Sequence, residues 1–123
     1  MAKRVLLAED EPNIVEALTF LLDRAGFEVD VVMDGRQALD ATLARLPDVL
    51  VLDVMLPTLD GYEVLRQLRA DQRAKYLPVL VLTAKGQSED RETALACGAD
   101  KYITKPFANS EIVAAVEQLA GQT

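Results

Sequence analysis

Pro47-Asp48-Val49-Leu50-Val51-Leu52-Asp53-Val54-Met55-Leu56-Pro57-Thr58-Leu59-Asp60-Gly61 is the stretch that settles the architecture. Val49 to Leu52 form an unbroken apolar run, as expected of a strand buried on both faces. The run ends on a carboxylate, Asp53. Pro57 and Gly61 then mark a loop, and Asp60 is placed to cap the next helix. Open α/β sheets gather their chemistry outside the carboxyl ends of their strands, so Asp53 is the first candidate functional residue.

The same alternation recurs on both sides of this stretch. Val5 to Ala8 read as strand one, ending in Glu9-Asp10-Glu11, and Pro12 suits the first turn of a helix. Ile14, Ala17, Leu18, Leu21, Leu22 and Ala25 recur at helical spacing, and Gly26 closes that helix. Phe27 to Met33 predict strand two, Asp34-Gly35 a turn and cap, and Ala38, Leu39, Thr42, Leu43 and Leu46 a second helix stopped by Pro47. Beyond the opening stretch, Val64, Leu65 and Leu68 trace helix three, with Arg66 and Arg69 on its wet side. Val79 to Leu82 predict strand four, ending on Thr83. Ser88 begins a fourth helix, the least hydrophobic of the set, with Ala94, Leu95 and Cys97 inward. Lys101 to Thr104 form a weak fifth strand that ends on Lys105-Pro106. Asn109 or Ser110 caps helix five, which turns Ile112, Val113, Val116 and Leu119 inward. Five strands alternating with five helices predict an α/β fold, a doubly wound parallel sheet with right-handed crossovers, filling residues 1–123 as one domain.

Composition bounds the function. The chain has 123 residues, enough to bury a core without staples, and a formal charge of −7. That sign argues against nucleic acid, whose phosphates are met by clustered Lys and Arg. Cys97 is the sole cysteine, so no internal disulfide forms and a reducing compartment is expected. Histidine is absent, which removes the common acid–base group and the common transition-metal ligand. No apolar run is long enough to span a membrane, and the start has no signal-peptide pattern. The expected location is cytoplasmic.

The strand ends supply the chemistry. Glu9 and Asp10, Asp53, Thr83 and Lys105 follow four different strands, and a parallel sheet brings such ends to one edge. Two carboxylates about 5 Å apart repel by about 3 kcal/mol at an effective dielectric near 20. Three of them together call for a cation. A hard divalent ion with oxygen ligands answers that need, Mg2+ foremost and Mn2+ as the alternative. Lys105 can pair with an aspartate or stabilise a phosphoryl oxygen.

These residues, in this order, resemble a response-regulator receiver domain along the whole chain. The matching motifs are Glu9-Asp10, Asp53 with Met55, Pro57, Asp60 and Gly61, Thr83-Ala84, and Lys105-Pro106-Phe107. The resemblance implies a flavodoxin-like sheet of order 2-1-3-4-5 and a phosphoacceptor at Asp53. The phosphoryl group would come from a phosphohistidine on a histidine kinase or a histidine phosphotransfer protein. Glu9, Asp10, Asp53 and the backbone carbonyl of Met55 would hold Mg2+. Thr83, Ala84 and Lys105 would contact the phosphoryl oxygens, with a cis peptide before Pro106. The resemblance also implies a switch through Thr83 and Tyr102, altering the face of helix four, strand five and helix five for a downstream protein. Lys85 would lie near the path of the water that removes the phosphoryl group, and so influence its lifetime. Beyond catalysing its own phosphorylation and dephosphorylation, the chain is not expected to be an enzyme.

Three other readings are weaker. A flavodoxin-like cofactor protein would not place Glu9-Asp10-Glu11 where a phosphate binds. A haloacid-dehalogenase-type phosphatase expects an aspartate where Met55 stands. A receiver cut from a larger regulator, such as a DNA-binding transcription factor, competes with a stand-alone regulator that has no output domain. The start at Met1 and the short tail lead us to expect the stand-alone form, in contact with neither nucleic acid nor membrane.

Overall fold

The computed structural model describes residues 2–83 and 88–121, and the side chains of all of these but 88–91. Five strands alternate with five helices: β1 (Arg4–Ala8), α1 (Pro12–Arg24), β2 (Glu28–Val32), α2 (Gly35–Ala44), β3 (Val49–Asp53), α3 (Gly61–Ala70), β4 (Val79–Thr83), α4 (Ser88–Ala96), β5 (Lys101–Thr104) and α5 (Asn109–Ala120). All strand pairs are parallel and the sheet order is β2-β1-β3-β4-β5. The expected doubly wound α/β fold and its strand order both hold.

Alternation along the strands divides the core into two layers, because successive side chains leave a strand on opposite faces. Leu6, Ala8, Leu50, Leu52, Val79 and Val81 meet Ala38 and Leu39 of α2, Val64, Leu65 and Leu68 of α3, and Ala94 of α4. On the other face, Val5, Leu7, Val49, Val51, Leu80 and Leu82 meet Leu18 and Leu22 of α1 and Ile112, Val116 and Leu119 of α5. Every residue of β3 and β4 is buried, whereas every residue of the edge strand β5 is half-buried. The apolar run of the opening stretch is therefore the central strand.

Several local expectations are corrected. Helix α2 stops at Ala44, so Leu46 lies outside it and is 43% exposed. On α4, Ala94 takes the inward place and the next position, Leu95, turns away to 46% exposure. Phe27 and Met33 flank β2 instead of belonging to it. Ala108, not Asn109 or Ser110, precedes the first turn of α5, because the Glu111 carboxylate reaches back to accept from the Ala108 N–H at 2.9 Å.

Arg69 departs furthest from its expected wet face. Its guanidinium donates to the carbonyls of Ala74, Leu77 and Gly98 at 2.8–3.0 Å and pairs with Asp100 at 3.0 Å. Asp100 in turn accepts from the N–H of Val79 at 2.8 Å. One arginine thus ties the α3–β4 connection to the turn before β5, satisfying carbonyls that would otherwise be costly to bury.

Candidate functional site

The carboxyl ends of β1, β3 and β5 deliver Glu9, Asp53 and Lys105 to one place. Asp53 is the last residue of β3, beside Leu82 of β4, and is 1% exposed. Its Oδ1 accepts from the N–H of Met55 at 3.0 Å, and its Oδ2 accepts from Lys105 Nζ at 3.0 Å. Gly61 lets α3 begin against this strand end, since a Cβ there would lie 2.6 Å from the Asp53 carbonyl oxygen. The cap on α3 is Asp60, whose carboxylate accepts from the Glu63 N–H at 3.1 Å, as the sequence predicts.

Glu9 is fully buried, which is rare for a carboxylate. Its Oε2 accepts from the N–H groups of Asp10 and Glu11 at 3.0 and 3.2 Å. Its Oε1 lies 3.2 Å from Lys105 Nζ, yet makes no hydrogen bond of acceptable geometry. Burial first, and then hydrogen bonding with Asp53 and its negative charge, push the Glu9 carboxyl from 4.5 up to about 7. For Lys105, burial pulls the pKa down, but the Asp53 hydrogen bond and the two carboxylates outweigh it, so the ammonium is held above its ordinary value.

Asp10 is the exposed member of the group. Ligand oxygens of Glu9, Asp10 and Asp53 all lie within 4.8 Å of one another. At that spacing each ionised pair repels by about 3 kcal/mol at an effective dielectric near 20. Among the described residues, Lys105 pairs with two of these carboxylates, Glu9 and Asp53, and one buried oxygen, Glu9 Oε1, has no hydrogen-bond donor. A hard divalent cation fits this donor set: all oxygen, one side open to water, and negative charge left over.

The remaining candidates fall around this centre. Thr83 ends β4, is 1% exposed, and its hydroxyl sits 3.4 Å from that of Thr104, its register partner on β5. The Lys105 N–H donates to the Thr83 carbonyl at 3.0 Å, and the Lys105-Pro106 peptide is cis, as expected. Met55 is 70% exposed. Tyr102 is half-buried, packs against the α2–α3–α4 layer of the core, and lines a groove of about 480 Å³ with Leu95, Lys101 and Glu111. A second hollow, of about 420 Å³, opens beside Lys105 and is walled by Glu11, Ile14, Pro106 and Phe107. Ala84 and Lys85 lie outside the described residues. Thr104 and Thr58 were not singled out from the sequence; each is a lone threonine, which carries no signal until its neighbour in space is known.

Residues 5–117 match the family model described as the response regulator receiver domain. The chain is a receiver domain of the response regulators. It is 44% identical over 119 residues to the alkaline phosphatase synthesis transcriptional regulatory protein PhoP of Bacillus subtilis, covering 97% of this chain and 49% of that protein. The receiver domain thus spans about half the length of the curated relatives it matches. Among solved structures, it superposes on the signal receiver domain of a signal transduction histidine kinase from Syntrophus aciditrophicus with a TM-score of 0.91 and 32% identity, covering 99% of this chain and 92% of that one. The receiver domain of sensor histidine kinase PA1611 from Pseudomonas aeruginosa gives a TM-score of 0.85 at 33% identity, covering 98% and 99% of the two chains. That structure has a magnesium ion coordinated in its active site cleft. Among the described residues of this receiver domain, no helix is long and apolar enough to cross a membrane.

Proposed function

We propose that Asp53 accepts a phosphoryl group from a phosphohistidine of a histidine kinase or histidine phosphotransfer protein, in a Mg2+-dependent reaction. One observation carries this reading. Asp53 lies at the end of the central strand with Lys105 Nζ at 3.0 Å and ligand oxygens of Glu9 and Asp10 within 4.8 Å. An Asp53 carboxylate oxygen attacks phosphorus, the new O–P bond forms as the N–P bond breaks, and the imidazole leaves. Glu9, Asp10, Asp53 and the Met55 carbonyl would hold the ion, which supplies positive charge to the transferring group. Lys105 moves from pairing Asp53 to contacting the phosphoryl oxygens, which Thr83 and Ala84 also contact. The hollow walled by Ile14, Pro106 and Phe107 gives the donor protein an apolar foothold beside the acceptor. Lys85 influences the lifetime of the acyl phosphate.

Output follows from Thr83. Drawing its hydroxyl towards the phosphoryl group breaks the 3.4 Å contact with Thr104 and changes the packing of Tyr102 on the face made by α4, β5 and α5. A downstream protein reads that face. The domain acts in the cytoplasm as a signalling element, and its only catalysis is on its own Asp53. A longer regulator that acts on DNA through another segment is the second reading. It is favoured by the half-length match to relatives such as a transcriptional regulatory protein. The receiver itself, in a chain of formal charge −7, makes no contact with DNA.

The test is intact-mass analysis after incubation with Mg2+ and a small phosphodonor. Wild type gains the mass of one phosphoryl group, and Asp53→Asn gains none. An equal adduct on the Asp53→Asn protein sinks the proposal.

A further inference from the structure

Three residues beyond Met55, the backbone at Thr58 takes a φ of +67°. A β-branched residue at positive φ is an outlier. The Leu59 N–H also donates to the Pro57 carbonyl at 2.9 Å, so Thr58 is the centre of a γ-turn in its rare, strained form. Strain of this kind persists only where surrounding contacts over-determine it. Here the contacts come from the start of α2. The Thr58 hydroxyl donates to Asp34 Oδ1 at 3.1 Å and accepts from the Arg36 N–H at 3.2 Å. The same Asp34 oxygen caps α2 by accepting from the Gln37 N–H at 2.8 Å. Next to it, the Gly35 N–H donates to the Pro57 carbonyl at 2.9 Å, and a Cβ on Gly35 would fall 1.6 Å from the Leu59 carbonyl oxygen.

The loop is thus fixed at three points. At its start the Met55 N–H is held by Asp53, and at its end the Gly61 N–H donates to the Val54 carbonyl at 3.0 Å. Between those anchors, Leu56 and Leu59 pack on the core and the α2 contacts supply the polar hold on the turn. We propose that Thr58, bridged to Asp34, is a positioning residue that holds the β3–α3 loop, and with it the Met55 carbonyl, in place for the divalent cation. The inference rests on the metal-site reading given above.

The test compares Mg2+ affinity, by titration calorimetry, with thermal unfolding in the absence of the ion. Thr58→Val removes the hydroxyl and keeps the shape. Thr58→Ser keeps the hydroxyl. Losing both hydrogen bonds of the hydroxyl weakens Mg2+ binding by roughly fivefold to a hundredfold in Thr58→Val, with serine restoring it. Asp34→Ala approaches the same bridge from its other end and weakens binding likewise, while Asp34→Asn, which keeps the acceptor oxygen, does not. The double variant Thr58→Val/Asp34→Ala binds no more weakly than the worse single variant, since both remove one bridge. Wild-type Mg2+ affinity in both Thr58→Val and Asp34→Ala overturns the inference, even if their melting temperatures fall. Asp53→Asn is the control for the site itself. If it binds Mg2+ as wild type does, the metal-site reading has failed and the positioning role falls with it.

Discussion

Replacing Glu9 with glutamine should erase a pH dependence of folding that the wild type carries only when metal is absent. Glu9 is fully buried, and burial together with Asp53 raises its carboxyl from 4.5 to about 7. Between those values the folded state holds a proton that the unfolded chain has released. Stability therefore falls as pH rises: Glu9's contribution is fully present below about 4.5 and is lost as pH climbs through about 7. Each tenfold change in proton affinity is worth about 1.4 kcal/mol, so the loss is about 3 kcal/mol. That is a large share of the roughly 5–15 kcal/mol typical of a domain. Glutamine is neutral throughout and contributes no such slope. The assay is urea unfolding of wild type and Glu9→Gln from pH 4.5 to 8, first with a chelator and then with saturating Mg2+. The difference between the two proteins isolates Glu9 from every other titrating group. A cation bound by ionised Glu9 should flatten the wild-type slope, because it favours the deprotonated form. Parallel curves for the two proteins in chelator would show that Glu9 takes up no proton on folding.

Arg69→Ala should cost roughly 2–4 kcal/mol in urea unfolding, because the Ala74, Leu77 and Gly98 carbonyls lose their donor together. Arg69→Lys should recover less than half of that, since an ammonium cannot reproduce the fork. Gly35→Ala should destabilise by about 2–4 kcal/mol, read from the same midpoint, because its Cβ would collide with backbone at Leu59 and not with a side chain that could turn away. Lys105→Ala should slow phosphorylation from a small phosphodonor by roughly 10- to 1000-fold. In the same variant Mg2+ should bind more tightly, since a positive charge 3.0 Å from Asp53 is gone.

Most of the fold was legible because burial on both faces writes itself as a continuous apolar run. Val49 to Leu52 and Val79 to Leu82 marked two central strands, and the acids, threonine and lysine that end the strands marked the site. What escaped the sequence depends on neighbours in space. Leu46 and Leu95 look like core residues by type, but one lies past a helix end and the other turns outward beside Ala94. Arg69 looks like a solvent-facing charge, and only the folded chain brings four carbonyls and Asp100 around it. Thr58 carries no signal at all until Asp34, 24 residues away, is placed beside its hydroxyl. The cap of α5 escaped for a related reason: Asn109 and Ser110 are favoured capping types, yet the Glu111 side chain satisfies the helix start from inside the helix.

Whether Asp53 is the residue phosphorylated is settled by locating the bond. After incubation with Mg2+ and a small phosphodonor, borohydride reduces an aspartyl phosphate to homoserine, which peptide mapping by mass spectrometry can place. Homoserine is expected at position 53 in wild type, and none is expected when a chelator replaces Mg2+. Homoserine at another aspartate, or equal conversion of Asp53 without the ion, would contradict a metal-dependent phosphoacceptor at the end of β3.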